Sequence, residues 1–332
     1  MKIAVLSDGA WGTALALTLL HNNHEVALWG PFPDYILEMK QKAENVRFLS
    51  GIPLPKNLFL VSEMSEAILD ADIIILASPV QYSRAIIKQL ANFYNSDNQI
   101  ILNVAKGIEN DSLKRISEIC SEILGSMQYA VLSGPSHAEE VAKMAATAVV
   151  VASEKIEVAV TVQKAFMNEY FRVYTSDDIL GVELGGALKN VYAIAAGIID
   201  GMKLGDNAKA ALITRAIAEM GRLGVALGGR QETFSGLSGI GDMIVTCTSA
   251  YSRNRHVGEE LGRGKSLDDI LELMGMVVAE GVKTTLSAHQ VAKNIKVDTP
   301  IIDEVYAGLY ENKDPVVGVR DLMTRKPKKE IE

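Results

Sequence analysis

Short apolar segments alternate with amphipathic ones along the first half of the chain. The apolar segments are rich in β-branched residues, which predicts strands that are buried on both faces of a parallel sheet. They cover residues 2–6, 24–29, 72–78, 99–105, 129–133, 147–153 and 171–175. Helical periodicity lies between several of them, as in 13-TALALTLLHN-22 and 112-SLKRISEICSEIL-124. The alternation predicts an α/β domain with a doubly wound sheet.

The pattern changes after Ser176. Strand-like segments stop there, and Ala-, Leu- and Gly-rich segments with a helical period begin, first over residues 180–201 and 207–228. Further helices are predicted around residues 253–262, 266–274, 284–294 and 301–310. We therefore expect two domains, one with the sheet over residues 1–178 and an all-helical one over residues 179–332.

Composition excludes several classes of protein. The chain has 332 residues and a net charge of −8 with no basic cluster, which argues against nucleic-acid binding. Cys120 and Cys247 are isolated and the five histidines form no H-E-x-x-H pair, so no disulfide framework and no metal site are predicted. No signal peptide and no apolar stretch of about 20 residues is evident, so a cytoplasmic protein without stable membrane insertion is expected.

The segment 7-SDGAWG-12 joins the first predicted strand to the first predicted helix, where dinucleotide-binding loops read G-x-G-x-x-G. Gly9 and Gly12 keep the glycines that let backbone approach a pyrophosphate and let the helix pack on the strand. Ser7 replaces the glycine of the tight turn and is expected to keep a negative φ. Asp8 adds a carboxylate, which is expected to face solvent. A purely structural turn is the alternative.

The end of the second strand usually shows whether such a site takes NAD or NADP. An acidic residue there binds the ribose hydroxyls of NAD, whereas an arginine accommodates the 2′-phosphate of NADP. The segment 27-ALWGPFPD-34 has neither group beside the expected ribose position. The choice of cofactor therefore stays open.

Two lysines stand in unusual surroundings. Lys106 directly follows a predicted strand, at the sheet edge where α/β proteins bind ligands; a lysine that reaches back to solvent is the alternative. Lys189, followed by Asn190, lies on a helix face of small residues, which allows close packing. An exposed lysine on an ordinary helix is the alternative there.

Two further segments carry candidate chemistry. Asp242 follows a glycine-rich turn and either pairs with a buried lysine or caps a helix. Ser252 predicts the N-cap of the next helix, where Arg253 and free backbone N–H groups would make a phosphate site. A solvated basic turn is the alternative.

Together these segments resemble the bacterial NAD(P)-dependent glycerol-3-phosphate dehydrogenases. The matching stretches are 9-GAWGTALA-16, 26-VALWG-30, 106-KGIE-109, 133-SGPS-136, 183-ELGGALKNVYAIAAGI-198, 236-GLSGIGDMIVTCTS-249, 252-SRNR-255 and 278-VAEGV-282. The resemblance implies an N-terminal Rossmann-type doubly wound sheet with an all-α C-terminal domain, and NAD or NADP as cofactor. It also implies reversible reduction of dihydroxyacetone phosphate to sn-glycerol 3-phosphate for phospholipid synthesis. A homodimer is expected because the Ala- and Gly-rich helices leave room for an interface.

By position, the resemblance implies that Lys189 is the proton donor and acceptor, with Lys106 and Asp242 beside the reacting group. The substrate-binding residues that it implies are Lys106, Gly134, Ser136, Lys189, Asn190, Asp242, Thr246, Ser252, Arg253 and Asn254. The cofactor-binding residues that it implies are Gly9, Ala10, Trp11, Gly12, Lys106, Ala138, Arg253, Val278 and Glu280. Two departures from the family are Ser7-Asp8, in place of Gly-Ala or Gly-Gly, and His137, in place of Phe.

Two other classes of protein fit part of this pattern. A β-hydroxyacid-type NAD(P) dehydrogenase would share the two-domain plan and the Lys-Asn helix, but Arg253 and Asn254 favour a phosphate substrate over a carboxylate. A nucleotide-sensing protein without catalysis would tolerate an altered glycine loop, but it has no need of a proton donor such as Lys189.

Overall fold

The computed structural model describes residues 1–96, 98–275 and 278–330. The strands are β1 (Lys2–Leu6), β2 (Glu25–Trp29), β3 (Glu44–Asn45), β4 (Leu49–Pro53), β5 (Phe59–Val61), β6 (Ile73–Leu76), β7 (Ile100–Asn103), β8 (Gln128–Ser133), β9 (Thr147–Ala152) and β10 (Phe171–Ser176). The helices up to the last strand are α1 (Ala10–His21), α2 (Pro33–Lys42), α3 (Met64–Ile68), α4 (Val80–Leu90), α5 (Ile116–Leu124), α6 (Ala138–Ala142) and α7 (Ile156–Phe166).

Helices alone follow β10 in the part of the chain that the structure describes. They are α8 (Ile179–Gly201), α9 (Asp206–Ala226), α10 (Gln231–Phe234), α11 (Asp242–Thr248), α12 (Arg253–Gly262), α13 (Leu267–Met274), α14 (Glu280–Asn294), α15 (Pro300–Tyr310) and α16 (Pro315–Met323). A π-helical turn, Leu237–Gly241, leads directly into α11. The predicted combination of a doubly wound sheet and an all-helical part is confirmed.

Eight strands form one sheet in the order β10-β9-β8-β7-β6-β1-β2-β5. All neighbours are parallel except β8 and β9, which are antiparallel. The strand order reverses between β1 and β6, and ligands bind at such a reversal, outside the carboxyl ends of the strands. The parallel sheet that the sequence predicted is therefore observed except at this one pair, because an apolar segment does not encode strand direction.

Consecutive residues of β1 are buried on opposite faces of the sheet. Ile3 and Val5 belong to one apolar core, while Ala4 and Leu6 belong to another. Burial on both faces explains why the strand shows no alternation of apolar and polar residues. The helices after β10 surround a third core.

Local turns change the ends of some predicted elements. α5 begins at Ile116, four residues later than predicted, because Asp111 and Leu113 adopt positive φ angles of 63° and 58°. Phe59–Val61 forms an edge strand that was not predicted, since three residues are too few for a recognisable period.

Helix α8 lies at the centre of the helical part. The Asp178 side chain accepts a hydrogen bond from Gly181 N at 2.8 Å and so caps it. This helix is long and apolar enough to cross a bilayer, contrary to the expectation that no segment would be, but 94% of its most apolar stretch is buried inside the protein. Such burial is typical of the core helix of a globular protein.

Helices α8 and α12 touch through their backbones. A Cβ atom at Gly197 would lie 2.7 Å from Glu259 N, and one at Gly258 would lie 2.8 Å from the Ile194 carbonyl carbon. Only glycine fits at either position. The small residues of α8 therefore serve contacts within the chain.

We predict that Gly197→Ala destabilises the protein by about 3 kcal/mol, because overpacking against a backbone cannot be relieved by a change of rotamer. Urea denaturation measures the loss. The matched control is Gly308→Ala in α15, where the nearest atom to an added Cβ would be 3.9 Å away. That variant is expected to be more stable by about 0.5–1 kcal/mol from helix propensity. Equal stability of Gly197→Ala and the parent would contradict the close α8–α12 contact.

Candidate active site

A cavity of about 230 Å³ lies between the carboxyl ends of the strands and helices α8, α11, α12 and α14. Its lining includes these predicted residues: Gly9, Ala10, Trp11, Lys106, Ser136, Ala138, Lys189, Asn190, Thr246, Ser252, Arg253, Asn254, Val278 and Glu280. Residues from the glycine loop and from six later segments thus meet around one space.

Two ammonium groups bind one buried carboxylate at the floor of this cavity. Lys106 Nζ donates to Asp242 Oδ2 at 2.6 Å, and Lys189 Nζ donates to Asp242 Oδ1 at 2.6 Å. Lys189 also donates to Thr246 Oγ1 at 2.7 Å. Both lysines are thus turned inward, and the alternatives of surface lysines are wrong. Asp242 is 1% exposed and serves as the shared anion, so the alternative of a simple helix cap is wrong as well.

The charges of this cluster depend on one another. Burial lowers the pKa of Lys106 to about 8, although Asp242 opposes the decrease. Burial alone would raise the pKa of Asp242, but the two lysines more than offset that effect and keep it below the usual value. The carboxylate is therefore ionised, and Lys106 can exchange its proton near physiological pH.

A chain of amide hydrogen bonds connects the strand end to two helices. Asn190 Nδ2 donates to the Lys106 carbonyl oxygen at 3.1 Å, and Asn254 Nδ2 donates to Asn190 Oδ1 at 2.9 Å. Gly281 N then donates to Asn254 Oδ1 at 2.9 Å. These hydrogen bonds fix the position of Lys106 relative to α8, α12 and the start of α14.

Arg253 is placed to receive an anion. It begins α12, and the predicted cap is confirmed, because Ser252 Oγ accepts from Arg255 N at 3.2 Å. Arg255, two residues later, is already paired, because its Nε donates to Asp200 Oδ2 at 2.6 Å. Arg253 forms no ion pair with any residue in the described ranges. The first N–H groups of a helix lack intrahelical acceptors, so α12 presents both a guanidinium and free donors.

Glu280 connects the sheet to the helical part at the other side of the cavity. Its Oε1 accepts a hydrogen bond from Val80 N at 3.0 Å, where α4 begins. Burial raises the pKa of Glu280 to about 7. The side chain is therefore a hydrogen-bonding group whose charge changes near neutral pH.

Three predicted residues lie behind the cavity lining. Besides Asp242, these are Gly12 and Gly134. A Cβ at Gly12 would overlap the Ser7 carbonyl oxygen, so this glycine lets α1 pack against the end of β1. The Gly134 carbonyl accepts from Lys106 Nζ at 3.0 Å and orients the ammonium group.

Models of one enzyme family match both parts of the chain. NAD-dependent glycerol-3-phosphate dehydrogenase N-terminus matches residues 2–159, and the corresponding C-terminus matches residues 178–320. The chain belongs to this family.

Relatives with the same kind of name match this chain over its full length. Glycerol-3-phosphate dehydrogenase [NAD(P)+] from Syntrophotalea carbinolica is 51% identical and covers 100% of both chains. The protein of the same name from Chlorobium phaeobacteroides is 48% identical and covers 99% of both. The crystal structure of glycerol-3-phosphate dehydrogenase from Coxiella burnetii has a TM-score of 0.94 and 37% identity, with coverage of 97% of this chain and 98% of that one.

The glycine loop fits the dinucleotide that the family uses. α1 begins at Ala10, and no side chain caps its N–H groups, so they can receive a pyrophosphate. Trp11 Nε1 is buried and has no hydrogen-bond partner among the described residues. An unsatisfied buried donor costs about 1–3 kcal/mol, which favours an acceptor supplied by a bound group.

The expectations that Ser7 keeps a negative φ and that Asp8 faces solvent are both wrong. Ser7 has a φ of 156°, a positive value that glycine adopts more readily than serine. Asp8 is 7% exposed and does not face solvent. Its side chain turns toward Gly30, where the missing Cβ leaves room for the carboxylate.

Some residues of the cavity were not predicted as site residues. Glu139 and Tyr251 line it; each directly follows or precedes a predicted site residue, which was the only signal in the sequence. His137, noted as a departure from the family, also lines the cavity. Its Nε2 is buried and has no partner within the described chain, and burial lowers its pKa. It is therefore a neutral polar group beside the lysine cluster.

Proposed function

We propose that this protein catalyses the reversible, NAD(P)-dependent reduction of dihydroxyacetone phosphate to sn-glycerol 3-phosphate. The observation that carries the proposal is the convergence of Lys106 and Lys189 on Asp242 in a cavity that Arg253 also lines. Membership of the glycerol-3-phosphate dehydrogenase family supports the same activity.

The substrate phosphate binds at the start of α12. Arg253 offers a planar set of donors that matches a phosphate, and the helix N-terminus adds backbone donors and a positive dipole end. Ser252 and Asn254 line the same part of the cavity. A phosphate held there leaves the ketone to reach the lysine cluster, which supplies orientation.

Lys189 is the proton donor in the reduction. As negative charge develops on the ketone oxygen, Lys189 donates a proton to it, while the ammonium group of Lys106 stabilises that charge. Asp242 and Thr246 hold the Lys189 amine in place through bonds of 2.6 and 2.7 Å. In the opposite direction Lys189 accepts the proton of the hydroxyl group.

The cofactor binds along the glycine loop, and when bound it supplies the hydride for the ketone carbon. Gly9, Ala10 and Trp11 would hold its pyrophosphate, and Gly12 would let the loop lie close to it. The cavity-lining residues that would contact its other parts are Lys106, Ala138, Arg253, Val278 and Glu280. Gly134, Ser136 and Asn190 complete the substrate side.

The two parts of the chain divide these tasks. Residues 1–178 form the dinucleotide-binding domain, and residues 179–332 form the domain that binds substrate and carries Lys189. The product is a backbone for phospholipids, which suits a cytoplasmic enzyme of lipid synthesis. The homodimer stays a prediction.

One assay tests the activity directly. Dihydroxyacetone phosphate is added to the protein with NADH and with NADPH in parallel, and the absorbance of the reduced cofactor is followed. A decrease with either cofactor is expected. A panel of 2-keto acids tests the rival dehydrogenase class. Oxidation of cofactor with a keto acid alone, or cofactor binding without turnover of any ketone, would overturn the proposal.

Arg253→Ala is expected to raise KM for dihydroxyacetone phosphate by about 10- to 100-fold, because a charge-assisted hydrogen bond to a phosphate contributes about 1.5–3 kcal/mol. Steady-state kinetics measures the change. At saturating NADH, dihydroxyacetone, which lacks the phosphate, should be reduced equally slowly by variant and parent. Arg263→Ala, at the exposed end of the same helix, is the matched control. An unchanged KM in Arg253→Ala would remove this residue from the phosphate site.

A further inference from the structure

A buried carboxylate lies at the carboxyl end of β2, although no acidic residue belongs to that strand end. The side chain of Asp8 comes from the neighbouring glycine loop. A Cβ atom at Gly30 would lie 2.7 Å from Asp8 Cγ and closer still to Oδ2. The carboxylate therefore occupies the space that a side chain at Gly30 would fill.

This carboxylate has unused hydrogen-bonding capacity. Asp8 is 7% exposed, and its Oδ2 is buried without a hydrogen-bond partner among the residues described. Burial raises its pKa, although a hydrogen bond from its own backbone N–H and the charge of Arg47 oppose the rise. A buried acceptor of this kind is costly unless a ligand satisfies it.

The carboxylate lies at the position that binds the adenine ribose in sheets of this type. β1 and β2 are parallel neighbours, with Leu6 beside Trp29 in register. In a Rossmann-type sheet the adenine ribose lies at the end of the second strand, where a carboxylate binds the 2′-hydroxyl of NAD. Here the chain at that end reads Gly30-Pro31-Phe32, and Asp8 brings the carboxylate from the side.

We propose that Asp8 makes this site selective for NAD(H) over NADP(H). Its free oxygen accepts a hydrogen bond from a ribose hydroxyl, and its negative charge repels the 2′-phosphate of NADP(H). The inference rests on the proposed function only in that a dinucleotide binds along the glycine loop.

Arg47 is the nearby cation that could favour a 2′-phosphate instead. Its guanidinium lies over the Tyr35 ring at 4.1 Å and pairs with Glu38 at 2.9 Å. The positive charge is therefore already partly balanced by a carboxylate. Its attraction also opposes the rise in the pKa of Asp8 and so favours the ionised carboxyl group.

Direct binding tests the proposal without reference to turnover. The dissociation constants of NADH and NADPH are measured by titration calorimetry on the full-length protein, together with those of ADP and adenosine 2′,5′-bisphosphate. The parent is expected to bind NADH at least about 10-fold more tightly than NADPH, since NADH gains a charge-assisted hydrogen bond and NADPH meets a repelling carboxylate.

Two substitutions separate the hydrogen bond from the charge. Asp8→Asn keeps an acceptor but removes the repulsion, so NADPH binding should tighten by about 10-fold while NADH binding changes less. Asp8→Ala removes both the hydrogen-bond acceptor and the negative charge. This variant should therefore also bind NADH more weakly than the parent does. Glu25→Gln is the matched control, because it removes one carboxylate from the exposed opposite end of β2; both affinities should stay as in the parent.

The outcomes are distinct. Equal affinity of the parent for both cofactors, unchanged in Asp8→Asn, would overturn the inference even if dihydroxyacetone phosphate is reduced. Tighter binding of NADPH than NADH, lost in Arg47→Ala, would assign the position to the arginine. A normal preference for NADH without reduction of the ketone would support the role of Asp8 and contradict the proposed activity.

Discussion

Lys189→Ala is expected to lower kcat for dihydroxyacetone phosphate reduction by roughly 10³- to 10⁴-fold, because the developing alkoxide loses its proton donor. The Lys189 amine is held by Asp242 and Thr246, which both belong to α11 in the helical part of the chain and not to the glycine loop. NADH binding should therefore persist, and calorimetry can measure it on the same sample.

Chemical rescue tells a proton donor from a structural lysine. A small primary amine added to Lys189→Ala should enter the space left by the side chain and restore part of the turnover. The pH dependence of the rescued rate should follow the pKa of the added amine. Near-normal turnover of the variant, or turnover that no amine increases, would remove Lys189 from its proposed role.

Asp242→Asn is expected to lower kcat/KM by roughly 10²- to 10³-fold, because both lysines lose the group that positions them. Asp242 raises the pKa of Lys106, so loss of its charge moves that pKa below about 8. Lys106 then loses its proton at a lower pH, and the alkaline limb of the kcat/KM profile should move to lower pH. A profile measured from pH 6 to 9 tests this direction.

The same substitution should also destabilise the fold, since an isolated charge left in a buried pair costs about 3–5 kcal/mol. Glu219→Gln separates stability from chemistry. Glu219 is buried and accepts hydrogen bonds from Ile301 N and Ile302 N, each at 3.0 Å, outside the cavity lining. The Glu219→Gln substitution should lower the denaturation midpoint and leave the pH profile of kcat/KM unchanged. An equal shift of the profile in both variants would contradict the proposed role of Asp242.

The residues of the cluster were recognisable because their sequence surroundings conflict with an ordinary surface position. Lys106 directly follows a strand that is apolar throughout, and Lys189 has glycine or alanine one turn away on the helix. Their shared partner was left open, because a carboxylate after a glycine-rich turn caps a helix just as well. Only the packing of α11 against α8 decides between these roles for Asp242.

Other features depend on contacts that no local pattern encodes. The antiparallel direction of β9 follows from the connection after β8, and its apolar sequence would suit either direction. The position of Asp8 depends on an absent side chain, because Gly30 directly follows the neighbouring strand β2 and leaves the space that the carboxylate fills. A sequence examined one segment at a time could not place the two together.

The backbone contact between α8 and α12 has a consequence for substrate choice. Lys189 and Arg253 lie on α8 and α12, two helices that are held together by close glycine contacts. The distance between the Lys189 amine and the Arg253 guanidinium is therefore fixed by the packing of these helices. A ketone phosphate one carbon longer is therefore expected to fit less well between the two groups. Chain-length selectivity would then be set by how closely two helices approach, rather than by the walls around the ligand.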